Sequence, residues 1–551
     1  MNMNPNVALP LVLVLSFSMS SCRFVDSRPV FRYRSGPVQT LDPAAATDHV
    51  SVREAARAYQ TPMRLERAMG NVVARPWILK KAPSVSDQGR RLDLEFRPGL
   101  QFHDSRIFEN DTRELTACDW VKSILRHGDP RVGSHWLQYL STRIAGFREW
   151  SAAASKSGDS AYQSFPRGLS CSGLKATVLL RQADQEFAYF LGHPAASVLP
   201  VDEILKRKWK VADEPVGSGT YQFSGSRTGT IRWKSADRVG ALRAIEADTS
   251  RDGYRDWDLL VRGSLDLIEL PRDLQSTVLR GDGELAEKWR EHGFQLQKIQ
   301  RADLVFIGFQ MKHPILGAKR GVRQALARAL FGGVISEGVF AGRAMEAYSA
   351  IPPGVAGYFT GDPRIPRSGD LAPSQDLLGF NGHPHGRGLP DFRMGCLPHP
   401  VEEELCRAVA ARWELLGIRA SVVIMDEARR RAGIQDGSVH FWPVTWVADL
   451  PGPVTHLEIF DPEKGLPEIP APVSALGAYR QALSAARLPA SSRRAASVAE
   501  AAAILNREAP AAFLVHRFQY WLVRPGIVGL NWQDFAWHDT DELRKLDSSS
   551  K

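Results

Sequence analysis

The chain has 551 residues, 44% of them hydrophobic and 24% charged, which excludes a disordered chain and leaves room for about three structural units. Its formal net charge is +9, but the basic residues are scattered and no run of five or six like charges occurs, so no nucleic-acid-binding arm is expected.

Residues 7–19 form an apolar run interrupted by Pro10 and two serines. The run is too short to span a bilayer and reads as the core of an export signal. Ser20, Ser21 and Cys22 follow it, the small-small-cysteine ending of a bacterial lipoprotein signal. Export with lipidation at Cys22 is therefore expected, with an ordinary cleaved signal or a misplaced start codon as the alternatives. No later segment is long and apolar enough to cross a membrane. Export permits disulfides; Cys118–Cys171 and Cys396–Cys406 are the conceivable pairs, and spacing does not choose between connectivities.

Residues 30–34 read as a strand, and residues 52–59 as a helix that Asp48 or Ser51 can cap. Residues 92–97 alternate apolar and charged, as a strand does, and Pro98–Gly99 ends them. A helix over 117–125 has Thr116 at its N-cap and Asp119 three residues on, close to a capping box. Residues 154–164, rich in Ser, Ala and Gly, read as a surface loop. Strands are expected over 176–181 and after the Gly-rich turn in 215–223, where Gly217 and Gly219 serve backbone geometry. Residues 305–310 read as a buried strand, and 321–330 as a helix with Val322, Leu326 and Ala329 on one face.

The clearest unit follows. A strand over 392–397, a helix over 401–416 ending at Gly417, and a strand over 418–425 form a βαβ unit with parallel strands and a right-handed crossover. A further strand covers 439–445. This is α/β grammar, in which ligands bind beyond the carboxyl ends of strands. That rule puts the segment beginning at Trp446 at a cleft. Residues 482–507 are helical with a break at Pro489, residues 511–516 and 520–523 read as two closing strands, and the polar tail after Leu546 reads as disordered.

Seven segments stand in an order that resembles the family 5 extracytoplasmic solute-binding proteins of bacterial ABC importers, the oligopeptide, dipeptide and nickel-binding group. They are TLDPAAATD from Thr40, LEFRPGLQFHD from Leu94 with LTACDWVKSILRHGDP from Leu115, PVGSGTY from Pro215, GSLDLIELP from Gly263, GVRQALARAL from Gly321, IPPGVAGY from Ile351 and WVADLPGP from Trp446. Ser105, Cys118, Thr220, Leu450 and Gly452 depart from the family pattern, as does the pair Tyr59-Gln60.

The resemblance implies a two-lobed periplasmic-binding-protein fold of type II, the large class with an extra inserted domain, its lobes joined by a hinge around a ligand cleft. It implies a discontinuous first lobe at residues 29–50, 171–299 and 505–551, an inserted domain at 51–170, and a second lobe at 300–504, after a signal at 1–22. The implied function is capture of di- or oligopeptides by cleft closure and their delivery to an ABC permease, by a monomer held to the membrane only through its lipid anchor. No enzyme activity and no cofactor are implied. Asp449 matches the family aspartate that meets a peptide's α-ammonium, because a buried unpaired charge needs a counter-ion. Trp446 is expected to wall that site, and Gln310, at the end of its strand, is a further candidate contact. Trp442 reads as core. The alternatives are a metal chelate, haem or sugar-like cargo, or a sensor or chaperone role.

Other chemistry is thin. His383 and His385 stand in a Gly/Pro stretch without carboxylates or cysteines beside them, which reads as a solvated loop rather than a metal site. Ser172 and Lys175 fit an SxxK spacing without its partner motifs, and no HExxH, P-loop or nucleophile elbow is present.

Overall fold

A computed structural model describes residues 28–546, apart from 69–70, 110, 237–241, 251–254, 332, 360–369, 464, 467–472, 489–491, 531, 533, 536 and 538–539. Cys22, Pro489 and the tail after Leu546 lie outside the described residues.

The expected βαβ unit is present. Strands Phe392–Cys396 and Ala420–Ile424 pair in parallel, with Phe392 opposite Ala420. Helix Pro400–Glu414 links them. Pro400 opens the helix where no N–H is needed, and Glu402 and Glu403 lie near its positive end. Gly417 takes φ +78° just beyond the last turn, the left-handed state that closes helices. Leu405, Val409 and Trp413 recur every four residues and are buried. A second crossover follows that the sequence reading passed over. Helix Glu427–Asp436, capped by Asp426 on the Arg429 N–H at 2.8 Å, leads to strand Phe441–Val447, which pairs in parallel with Phe392–Cys396. With only two alanines and Ile434 among its charged residues, that helix shows no apolar period.

Strand Asp303–Phe309 is buried along its whole length. Leu304 and Phe306 enter one core, while Val305, Ile307 and Phe309 enter another on the opposite face. This is the alternation of a strand covered on both sides. Its neighbours are Phe441–Val447 and Ala511–Val523, both antiparallel to it.

The two closing strands expected at 511–516 and 520–523 are one strand of 13 residues, Ala511–Val523. His516 and Arg517 break the apolar run in sequence, yet Asp303 holds both. The His516 Nδ1–H donates to the Asp303 carbonyl at 2.6 Å, and the Arg517 guanidinium meets the Asp303 carboxylate at 2.7 Å. The first part of this strand pairs with Asp303–Phe309 and Ala344–Glu346, the second with Gln295–Gln300 and Leu267–Glu269. Beyond Leu267–Glu269 the sheet continues through Val30–Arg34, Ala244–Asp248, Thr230–Ser235 and Tyr221–Arg227. The result is a mixed α/β, two-lobed architecture in which one strand belongs to both lobes.

The amino-terminal features behave as read. Strand Val30–Arg34 has the expected bounds, and Asp48 caps helix His49–Ala56, accepting the Ser51 N–H at 2.9 Å. Thr116 and Asp119 form the capping box of helix Ala117–Arg126. Asp42 of the TLDP segment grips Arg126 of that helix at 2.5 and 2.8 Å, a buried pair that ties the first strand's exit to the helix. A disulfide joins Cys118 to Cys171 on strand Leu169–Ser172. Cys396 and Cys406 are buried thiols, hydrogen-bonded to each other rather than bridged.

Residues 154–164 are not a surface loop. Helix Phe147–Ser157 and a 3-10 turn at Gly158–Gln163 occupy them, because Phe147, Trp150 and Ala154 form one buried face. Gly217 and Gly219 do serve backbone geometry: a Cβ at either would collide with the backbone at Arg57 and Ala58. His103 fixes this turn, its N–H donating to Gly217 and its Nε2 to Gly219, both at 2.7 Å.

Candidate ligand-binding site

Trp442, Val444 and Trp446 of strand Phe441–Val447 face the same side, toward the core that holds Leu304 and Phe306. Trp442 is 2% exposed and is core, as expected. Trp446, opposite Leu304 at the strand's far end, is only half-buried. Past the strand, the Ala448 N–H donates to Ala302 at 3.1 Å and ends the ladder. Asp449 follows, and Leu450 then enters the core of the other lobe. The Asp449 carboxylate is thus set where the chain crosses between lobes.

The facing wall is helix Trp136–Arg143. Trp136, Tyr139 and Arg143 are spaced three and four apart, so one helix face carries all three. With Trp446, Asp449 and Leu450 they line a cavity of about 210 Å³. Among the described residues, Asp449 has no hydrogen-bond or ion-pair partner, and burial alone pushes its carboxyl up to about 6. The indole N–H groups of Trp136 and Trp446 and the Tyr139 hydroxyl are buried there without partners. Arg143 stacks on the Tyr139 ring at 3.8 Å and pairs with Asp184 and Glu458, each at 3.0 Å.

Each unsatisfied buried polar group costs ~1–3 kcal/mol, and native proteins hold few. One carboxylate calls for a cation, and three donors call for acceptors. A molecule with an ammonium group and amide or carboxylate oxygens meets both needs at once.

The structure brings Trp446 and Asp449 together and leaves Gln310 out. Gln310 sits just past the opposite end of strand Asp303–Phe309, roughly 20 Å from Leu304 at the usual rise per residue. Its Nε2 donates to the Ile434 carbonyl at 2.7 Å and its Oε1 accepts the Lys312 N–H at 3.3 Å, so the amide is committed to backbone. The candidate contact at Gln310 is therefore corrected to a structural one. His383 is also not solvated: it is 7% exposed, with Nδ1 on the Arg387 carbonyl and Nε2 on Lys319 Nζ, both at 2.9 Å. Among the described residues no group of three or more His, Cys, Asp or Glu is placed to hold a metal ion.

The loop carrying Asp449 is pinned from the other lobe. Gly452 precedes helix Pro453–Glu458 and has no side chain to cap it. Glu186 supplies the cap instead, accepting the Val454 N–H at 3.1 Å and pairing with Arg494 at 2.9 Å. A Cβ on Gly452 would collide with the Glu186 carboxylate. Burial, then the neighbouring Asp184, pushes Glu186 up to about 7 against the pull of Val454 and Arg494. Gly452→Ala is expected to displace Glu186 and cost ~1–2 kcal/mol, the usual worth of a cap. A urea midpoint unchanged by this substitution would show that the cap carries no stability.

Trp136, Tyr139, Arg143 and Glu186 escaped the sequence reading. The Trp-x-x-Tyr-x-x-x-Arg spacing after Ser134 was the available signal for the helix face. Nothing in sequence indicates that this face meets Asp449, more than 300 residues away.

Comparison with known proteins agrees with this architecture. The family described as bacterial extracellular solute-binding proteins, family 5 Middle, matches residues 73–466. The heme-binding protein A of Haemophilus influenzae is 22% identical over 387 residues, 67% of this chain and 66%, just under two thirds, of its own length. The glutathione-binding protein GsiB of Escherichia coli is 22% identical over 443 residues, 78% of this chain and 75% of its own. The solved structure of the periplasmic binding protein DppA from Helicobacter pylori, in complex with the peptide STSA, superposes with a TM-score of 0.69 at 16% identity, covering 94% of this chain and 98% of that one. At that identity the likeness concerns the fold.

Proposed function

This chain belongs to the bacterial extracellular solute-binding proteins of family 5, the substrate-binding components of ABC importers, and from that premise we propose that it captures short peptides by their α-ammonium group at Asp449. The observation that carries this reading is the partly buried Asp449 carboxylate, unpartnered among the described residues, in a cavity also lined by Trp136, Tyr139 and Trp446, whose buried N–H and O–H groups have no hydrogen-bond partner. The ammonium pairs with Asp449, and the first peptide carbonyls accept from Trp446, Trp136 and Tyr139. Backbone-directed bonds of this kind tolerate varied side chains. Closure of the lobes buries the ion pair, and the closed form presents the cargo to the permease. The chain is exported, anchored through Cys22 and divided into lobes at residues 29–50, 171–299 and 505–551 on one side and 300–504 on the other, with 51–170 inserted. It acts by binding, without a catalytic step.

Isothermal calorimetry with di- and tripeptides, each free and N-acetylated, tests this. Acetylation removes the ammonium and is expected to weaken binding at least tenfold. Equal affinity for both forms would sink the role of Asp449.

The pH dependence has a definite sign. Asp449 must be ionised to hold an ammonium, and in the empty protein it takes up its proton at about 6. Affinity is therefore expected to be highest near pH 7, to fall by up to tenfold per pH unit below 6 until the proton also binds the complex, and to fall again above about pH 8 as the peptide ammonium loses its proton. Calorimetry at pH 7.5, 6 and 5 measures it directly. A flat profile across that range contradicts the assignment.

A further inference from the structure

A second cavity, of about 250 Å³, adjoins the Asp449 cavity and shares Thr142, Arg143 and Glu458 with it. Four arginines line it: Arg143, Arg148, Arg181 and Arg487. Only two carboxylates do, Asp184 and Glu458. Both are already engaged. Arg143 contacts Asp184 and Glu458 at 3.0 Å each, and Arg487, 6% exposed, contacts Glu458 at 2.5 Å. Arg148 and Arg181 have no side-chain partner among the described residues. These arginines come from separate segments, and the Arg181 backbone N–H is bonded to the Arg143 carbonyl at 2.7 Å.

Two guanidinium charges are in surplus here, so the lining is net positive and attracts an anion. Guanidinium forks also match carboxylates in a two-bond geometry that a lysine cluster lacks. The two cavities adjoin at Thr142, Arg143 and Glu458, with an anion in one calling for a cation and surplus cations in the other calling for an anion. We infer that the arginine cavity is a subsite for an acidic side chain of the cargo, so that the protein selects short peptides carrying a carboxylate next to the residue whose ammonium meets Asp449. This rests on the peptide reading proposed above.

The test compares the dipeptide Ala-Glu with the isosteric Ala-Gln, each as free acid and as C-terminal amide, by calorimetry at pH 7.5 and low salt. Ala-Glu is expected to bind at least tenfold more tightly than Ala-Gln, in the acid and amide pairs alike. A preference absent between the free acids and present only between the amides would place the C-terminal carboxylate, not the side chain, in the subsite and overturn the inference. In the double variant Arg148→Ala with Arg181→Ala, the Glu/Gln ratio is expected to fall below threefold. Both arginines are exposed, and their side chains have no partner among the described residues, so the variant is expected to fold. A ratio within twofold in the unaltered protein, or one that survives in the double variant, overturns the inference. If neither dipeptide binds, the peptide reading fails, and succinate then tests the subsite by itself. A rise in melting temperature with succinate that the double variant lacks upholds an anion site, and no rise overturns it.

Discussion

Replacing Asp449 with asparagine is expected to make the empty protein more stable while weakening peptide binding at least tenfold. The two effects share one origin. Burial without a partner raises the Asp449 carboxyl from 3.8 to about 6, so in the folded protein its charged form is disfavoured by ~3 kcal/mol relative to the unfolded chain. Partial exposure of the side chain brings the gain expected on neutralisation nearer ~1–2 kcal/mol. For an acid with a raised folded value, the sign is fixed by linkage. The empty protein gains stability as pH falls from about 6 toward 3.8, and the asparagine variant loses that dependence. When cargo is present the order reverses, because the ion pair worth ~1.5–3 kcal/mol is gone. Thermal unfolding with and without peptide, on both proteins at pH 7.5 and pH 5, reads all of this. An asparagine variant that is less stable when empty would mean that Asp449 has a structural partner rather than a ligand to wait for.

The largest stability effect is expected from the Cys118–Cys171 bridge. It closes a segment with a sequence separation of 53. The chain-entropy relation puts the stabilisation for a loop of that length at ~4 kcal/mol, with measured values usually at ~2–4. Its anchors are the first turn of helix Ala117–Arg126 and strand Leu169–Ser172, between which lie Trp136, Tyr139 and Arg143 of the cavity wall. Replacing both cysteines with alanine is expected to lower unfolding free energy by that amount and to leave binding by the folded fraction intact. Reduction of the unaltered protein should do the same. A change below ~1 kcal/mol in urea unfolding would mean that the segment is ordered in the unfolded chain or held by its other contacts.

Much of the scaffold could be read from local chemistry. The capping box at Thr116 and Asp119, the strand Val30–Arg34, the Gly417 stop and the Gly217–Gly219 turn are all decided by neighbours in sequence, and all are found. Trp446 and Asp449 were placed by the strand-end rule and by a motif. The failures are long-range. The strand ending at Phe309 was recognised, but antiparallel pairing puts the cavity at its beginning, so Gln310 fell at the wrong end. Arg143 meets Glu458 across 315 residues, and no local pattern reports that meeting. The helix Glu427–Asp436 was invisible because a nearly uniform polar face has no period to detect.

The shared strand Ala511–Val523 has a mechanical consequence. Its partners change at one place: Ala344 stands opposite Arg517, and Gln300 opposite Phe518. On one edge the partner segment changes between the Phe518 N–H, bonded to the Arg343 carbonyl at 2.7 Å, and the Tyr520 carbonyl, bonded to the Leu270 N–H at 2.8 Å. Torsion concentrated there turns one half of the molecule against the other while every ladder bond on either side survives. The resting angle is then set by whatever fills the gap between the halves, so substitutions at the rim can retune residence time of the cargo while the axle itself is left untouched.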